Sequence, residues 1–278
     1  MRDRLFAHEP AGESARLTRG WMEMVNVYAS RFGIARKPHV ARASAELAAE
    51  HFEAAYDLRL QAFALVDAAY AELALGDYAQ ALELANKGRE LGARLGVGFV
   101  ALYGGGLAAS ALGRLGRMQE ARALAREVAD KSAARKDRIN VGFTLHLLAV
   151  TELLAGDAEK AFALARSAVE EPGLVPPTLA YAHATCARSA ARLGDAAEAL
   201  RRAELAIELM NQTSTNDLAE GWINLAHVEA LAASGKADDA RAAAMRAKAR
   251  LDERSEGMSD TQRTSFFAIP EHAATRAL

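Results

Sequence analysis

The 278 residues carry 34 basic and 36 acidic side chains, a formal net charge of -2, with 51% hydrophobic and 25% charged content. That balance lets the chain bury a sizeable core, and it argues against a surface built to wrap nucleic acid, which needs concentrated positive charge. Cys186 is the only cysteine, so no intramolecular disulfide can form, and no window reaches the ~18 to 20 uncharged apolar residues of a membrane-spanning helix.

In chain order, the opening MRDRLFAHEPAGES has charge and proline where a secretory signal needs a continuous apolar run, which points to the cytoplasm. Residues 14–54 read as an irregular first hairpin: a helix from Ser14 to Phe32, Gly33 at the place of a degenerate turn, and a second helix after Pro38. From 57 to 253 a repeat takes over. LALGDYAQALELA, GRLGRMQEARALA, LLAGDAEKAFALA, ARLGDAAEALRRA and AASGKADDARAAA align without gaps on Gly76, Gly116, Gly156, Gly194 and Gly235, which are 40, 40, 38 and 41 residues apart. The pattern predicts helix pairs at 57–75 with 78–94, 97–115 with 118–134 and 138–155 with 158–171, followed by two more. Pro176, Pro177 and the polar NQTSTND at 211–217 fall between helices. Residues 259–278 are expected to cover the apolar face of the last repeat. The chain is thus one domain, 1–278, with an all-α architecture.

Each turn glycine stands where a helix must end in the left-handed conformation. Asp77, Asp157 and Asp195 follow directly and are placed to cap the next helix, whereas Arg117 and Lys236 cannot, which weakens those turns by ~1 kcal/mol. Ala81, Ala121, Ala161, Ala199 and Ala240, with alanines four residues on, form a small stripe that lets the second helix approach the first. Ala69, Ala109, Ala149 and Ala187 supply the matching surface, and Val228 breaks it in the last repeat.

The turn Gly76, Asp77, Tyr78 and Ala81 resembles the tetratricopeptide repeat. The longer period is similar to the repeats in sensor regions of large bacterial transcription activators, such as the maltose-regulon activator, and SFFAIPEHAATRAL is similar to the end of helical repeats appended to bacterial signalling kinases and ATPases. The resemblance implies a right-handed α-solenoid of about five to six hairpins, with a concave groove that takes peptides, partner proteins or, less often, small ligands.

The chain has no GxxxxGK[ST] loop, no HExxH helix and no paired CxxC, and its seven histidines lack ligand spacing. No catalytic residue, cofactor or metal site is assigned. The run Gly104 to Gly106 inside a predicted helix means either local laxity or close approach of a ligand or a neighbouring backbone. Thirteen residues before each turn glycine comes an aromatic: Phe63, Tyr103, Phe143, Tyr181 and Trp222. Its neighbours on the helix vary, so the ring belongs either to the inter-repeat core or to the rim of the groove. The groove residues are therefore Tyr103, Gly106, Ser110, Arg114, His146, Tyr181, Arg188, Arg192 and Trp222. Arg188 and Arg192, one turn apart beside Tyr181, suit a carboxylate, and so an acidic protein or peptide partner. The alternative is a small-ligand sensor with a pocket shaped by Tyr103, Gly106, Ser110 and His146.

Overall fold

The computed structural model describes residues 12–32, 36–172, 174–212 and 217–278. The expected turn at Gly33 and most of the NQTSTND stretch lie outside them. Among the described residues there are fourteen helices and no strand. Six hairpins pair α1 (Glu13–Phe32) with α2 (Pro38–Ala54), α3 (Leu58–Leu75) with α4 (Tyr78–Arg94), α5 (Gly98–Arg114) with α6 (Met118–Ala134), α7 (Arg138–Leu154) with α8 (Ala158–Glu170), α9 (Pro176–Arg192) with α10 (Ala196–Gln212), and α11 (Asp217–Ala233) with α12 (Ala237–Ser255). Two short helices follow, α13 (Asp260–Ala268) and α14 (Pro270–Ala277). The helices expected within 57–171 end within two residues of these bounds.

Local chemistry sets the punctuation. All five turn glycines have φ between 73° and 90°. Asp77, Asp157 and Asp195 each accept a hydrogen bond at 3.0 Å from the backbone N–H three residues on, while Arg117 and Lys236 provide no side-chain cap. The alanine stripe is buried in every hairpin, which brings the paired backbones close.

The first helices of the hairpins form the inner wall: α3, α5, α7, α9 and α11 pack in succession, and α11 returns to α3. Leu218 of α11 accordingly packs against both the first and the second core cluster. The seam of this closed turn is rich in charge. Glu220 faces Arg36, Arg250 and Arg254, and Lys37 pairs with Glu256. Between layers, Arg42 of α2 reaches the buried Glu72 of α3 at 2.8 Å, and eighty residues later Arg122 of α6 reaches the buried Glu152 of α7 at 2.6 Å, an equivalent pair two repeats along.

Helices α13 and α14 do not stack outward as a seventh hairpin. Instead α13 packs on α3, at the other end of the array, and α14 packs on α11 and α12. Phe266 is fully buried with Leu75, Leu251, Met258 and Ile269.

Candidate functional site

The inner wall brings together residues from repeats far apart in sequence. Arg114, at the end of α5, donates two hydrogen bonds of 2.7 Å to the two oxygens of Glu271 on α14, and both side chains are about 95% withdrawn from solvent. The guanidinium carbon lies 5.8 Å from the Tyr78 ring and 5.6 Å from the Trp222 ring. Burial disfavours both charges, yet each ion outweighs that for its partner: the Glu271 pKa falls to about 2 and that of Arg114 stays well above the ordinary arginine value. Beside this pair, His272 hydrogen-bonds through Nδ1 to the Phe266 carbonyl at 2.8 Å. A carbonyl can only accept, so Nδ1 carries the proton. Burial lowers the His272 pKa to about 4, leaving a neutral ring at pH 7.

Next to Arg114 stands a column of rings. Trp222 is fully buried, and Tyr181 lies 6.0 Å from it edge-on. His146 packs 4.1 Å from the Tyr181 ring. His146 is wholly buried, neither ring nitrogen finds a hydrogen-bond partner among the described residues, and burial drives its pKa to about 3. Further along, Tyr103 is half-buried between Phe99 and Phe143, at 5.9 and 5.2 Å, and its hydroxyl accepts from Arg31 at 3.4 Å. Of the five repeat aromatics, Tyr181 and Trp222 are therefore deep core, while Phe63, Tyr103 and Phe143 are half-buried against it.

One expectation needs correction: Arg188 does not stand open for a partner's carboxylate, whereas Arg192 is exposed at the end of its helix. Arg188 makes a bidentate pair with Glu229, at 2.7 and 2.9 Å, while its guanidinium lies 4.1 Å from the Trp222 ring, and Arg192 donates to the Leu153 carbonyl at 2.6 Å. A buried guanidinium needs an acceptor, and the chain supplies one. Of the two readings of the glycine run, close approach is the one the packing supports. A Cβ at Gly105 would fall 2.6 Å from Val128, and one at Gly106 would fall 3.1 Å from Phe143 and 3.4 Å from Leu147, so the neighbours approach to the backbone itself. Ser110 is buried on the same helix.

Sequence reasoning missed three groups. Arg31 pairs with Asp67 in the interior, where Tyr28 also donates to Asp67 at 3.0 Å and the Arg31 guanidinium sits 3.6 Å from the Tyr70 ring. Its signal was Asp67 itself: nine residues before the turn glycine the other repeats carry Leu107, Leu147, Thr185 and Ala226, so a lone charge in that column demands a partner. Tyr78, the one aromatic directly after a Gly-Asp turn, faces Arg114 and was visible as an exception. Glu271, 157 residues from Arg114, left no periodic trace.

Among the described residues no group of three or more His, Cys, Asp or Glu side chains could hold a metal ion. Burial pushes the Cys186 thiol up to about 11, which removes the thiolate that nucleophilic chemistry uses. A cavity of about 470 Å³ lies against the last hairpin, lined by Val228, Ala240, Ala244, Met245 and Leu278, away from the groove residues named above. No helix among the described residues is long and apolar enough to cross a membrane.

No protein-family model and no curated protein matches this chain. Solved structures do. A Rap protein complexed with Competence and Sporulation Factor superposes with a TM-score of 0.65 at 11% identity, covering 95% of this chain and 73% of that one. The Rap conjugation gene regulator of the plasmid pLS20, in complex with the Phr* peptide, gives 0.65 at 13% identity over 95% and 74%. BtubC (BKLC) from P. vanneervenii gives 0.54 at 15% identity over 86% and 94%. At such identities the likeness establishes architecture: the chain is an all-α solenoid of tetratricopeptide-like hairpins.

Proposed function

We propose that this chain is a non-enzymatic protein- or peptide-binding scaffold, a cytoplasmic regulatory module of a bacterial signalling system whose inner wall receives an acidic segment of a partner. The observation that carries this reading is the seat at Arg114, where Tyr78, Tyr181 and Trp222 surround a guanidinium that already holds a carboxylate on a helix from elsewhere in the chain. Such a seat recognises a side chain and a short stretch of helix, which is what a peptide offers. The two Rap structures with the same architecture, one with a factor and one with a peptide bound, support the same reading. The small-ligand alternative draws no support from its own residues, because the space beside Gly106 is taken by Phe143 and Leu147.

The test is a displayed random-peptide library panned on the immobilised full chain. Binders enriched in Asp and Glu are expected, with calorimetric affinity that falls as salt rises. Failure to enrich any sequence, or enrichment of sequences whose affinity ignores ionic strength, would sink the reading.

A further inference from the structure

The segment that fills the Arg114 seat is recognised by a set of side chains that another polypeptide could carry. Glu271 supplies the carboxylate. Phe266 supplies a ring that enters a cup of Leu75, Leu251 and Met258, with the Arg254 guanidinium 5.4 Å from its centre. Ile269 seals the Gly76 turn: a Cβ on Gly76 would fall 2.6 Å from the Ser265 carbonyl oxygen and 2.9 Å from Ile269, so the host surface is cut back to backbone where the segment crosses it. Gly221 makes a second notch, filled by the His272 ring. These anchors lie on one side of the segment. Arg263, Thr264, Ala268, Ala273 and Ala274 are exposed on the other, so the segment is a layer on the wall rather than a strut inside it.

Resting on the scaffold reading above, we propose that Asp260–Ala277 is a built-in copy of the partner. The partner segment carries an aromatic, an aliphatic three residues later and a glutamate two residues further on, as Phe266, Ile269 and Glu271 do, and it displaces the chain's own segment from Arg114. The exchange has a simple electrostatic logic. Removing Glu271 without replacement strands a buried guanidinium, whereas one carboxylate taking the place of another keeps the ion paired. Neutral peptides therefore cannot displace the segment, and acidic ones of this spacing can. The tethered copy competes at the high effective concentration of an intramolecular ligand, so the wild-type chain answers only to a partner that is abundant or better fitted.

The experiment uses the full chain and a fluorescent synthetic peptide spanning residues 259–278. Wild type should bind it weakly. Chains carrying Glu271→Gln, or Ile269→Ala, which loosens the segment without stranding a charge, should bind it at least ~10-fold more tightly, because the tethered competitor is weakened. The same peptide with its own Glu271→Gln should lose that gain, and an Arg114→Met chain should no longer prefer the glutamate peptide over the glutamine one. The proposal is overturned if both loosened chains, folded by circular dichroism, bind no better than wild type, or if they do not distinguish the two peptides. Library binders that hold to wild type and Arg114→Met alike, undisturbed by excess 259–278 peptide, would remove this proposal and leave the scaffold reading in place. A library that yields nothing removes both.

Discussion

The Arg114–Glu271 pair allows the sharpest test of how the inner wall is held. Two hydrogen bonds of 2.7 Å join side chains that are 5% and 3% exposed, so removing either partner leaves a charge in a site walled by rings. Glu271→Leu should cost ~3 to 5 kcal/mol, the range for breaking a buried ion pair, because the remaining guanidinium cannot deprotonate to escape. Arg114→Met should cost a similar amount at pH 7, but its cost should shrink on acidification. Without Arg114, burial raises the Glu271 pKa above its unfolded value, the folded state binds the extra proton, and stability then rises as pH falls. The double variant should recover most of the loss, since apolar side chains of similar size replace the pair at little net cost. Urea unfolding followed by far-ultraviolet circular dichroism, run on all four proteins at pH 7 and pH 5, measures these quantities. Single losses below ~1 kcal/mol, as for a solvent-exposed pair, or losses that simply add in the double variant, would refute the argument.

Three further outcomes follow from the same geometry. His146, His183 and His272, whose pKa values burial lowers to about 3, 4 and 4, stay neutral in the folded chain while the unfolded chain takes protons below 6.5, so the thermal midpoint should fall as pH drops from 6.5 toward 4. A flat midpoint over that range would contradict their burial. Gly105→Ala gains up to ~1 kcal/mol of helix propensity but places its Cβ 2.6 Å from Val128, and the ~1 to 3 kcal/mol of overpacking should dominate in denaturant titration, so a stabilised variant would restore the laxity reading. Phe143→Ala, at a half-buried ring, should lower the denaturant midpoint clearly less than Trp222→Ala, whose fully buried ring should cost ~3 to 5 kcal/mol, and equal losses would place both rings in the core.

What the sequence made legible was local. A turn glycine, its following aspartate and the alanines at fixed offsets act within one hairpin, and forty-residue periodicity repeats the signal until it is unmistakable. Contacts between equivalent positions of neighbouring repeats were half legible: Arg188 and Glu229 stand in the same aligned column, seven residues after the aromatic, and such a column brings its members side by side, so their ion pair was readable as a pair rather than as two free charges. What lay hidden were the contacts across the closed turn. Arg114 to Glu271, Arg254 to the Arg36 carbonyl and His39 beside Gly257 all join segments more than 150 residues apart, and periodicity carries no information about where the array meets itself.

That meeting determines what the site can be. A solenoid with open ends offers each repeat's inner residues separately, and a ligand reads them in series. Here α11 has come back to α3, so the Gly76 turn and Tyr78 stand beside Trp222 and Gly221 from the opposite end of the chain. A segment as short as two turns of helix then touches the first regular repeat and the last at once, as Ser265 does at Gly76 and His272 does at Gly221. The seam itself is tied by Arg36 to Glu220, by Lys37 to Glu256 and by Arg254 to the Arg36 carbonyl, directional contacts that hold one separation of the ends rather than a range of them. The proposed recognition surface is therefore a property of the winding. No single hairpin contains it, and substitutions at the seam should alter the site as surely as substitutions within it.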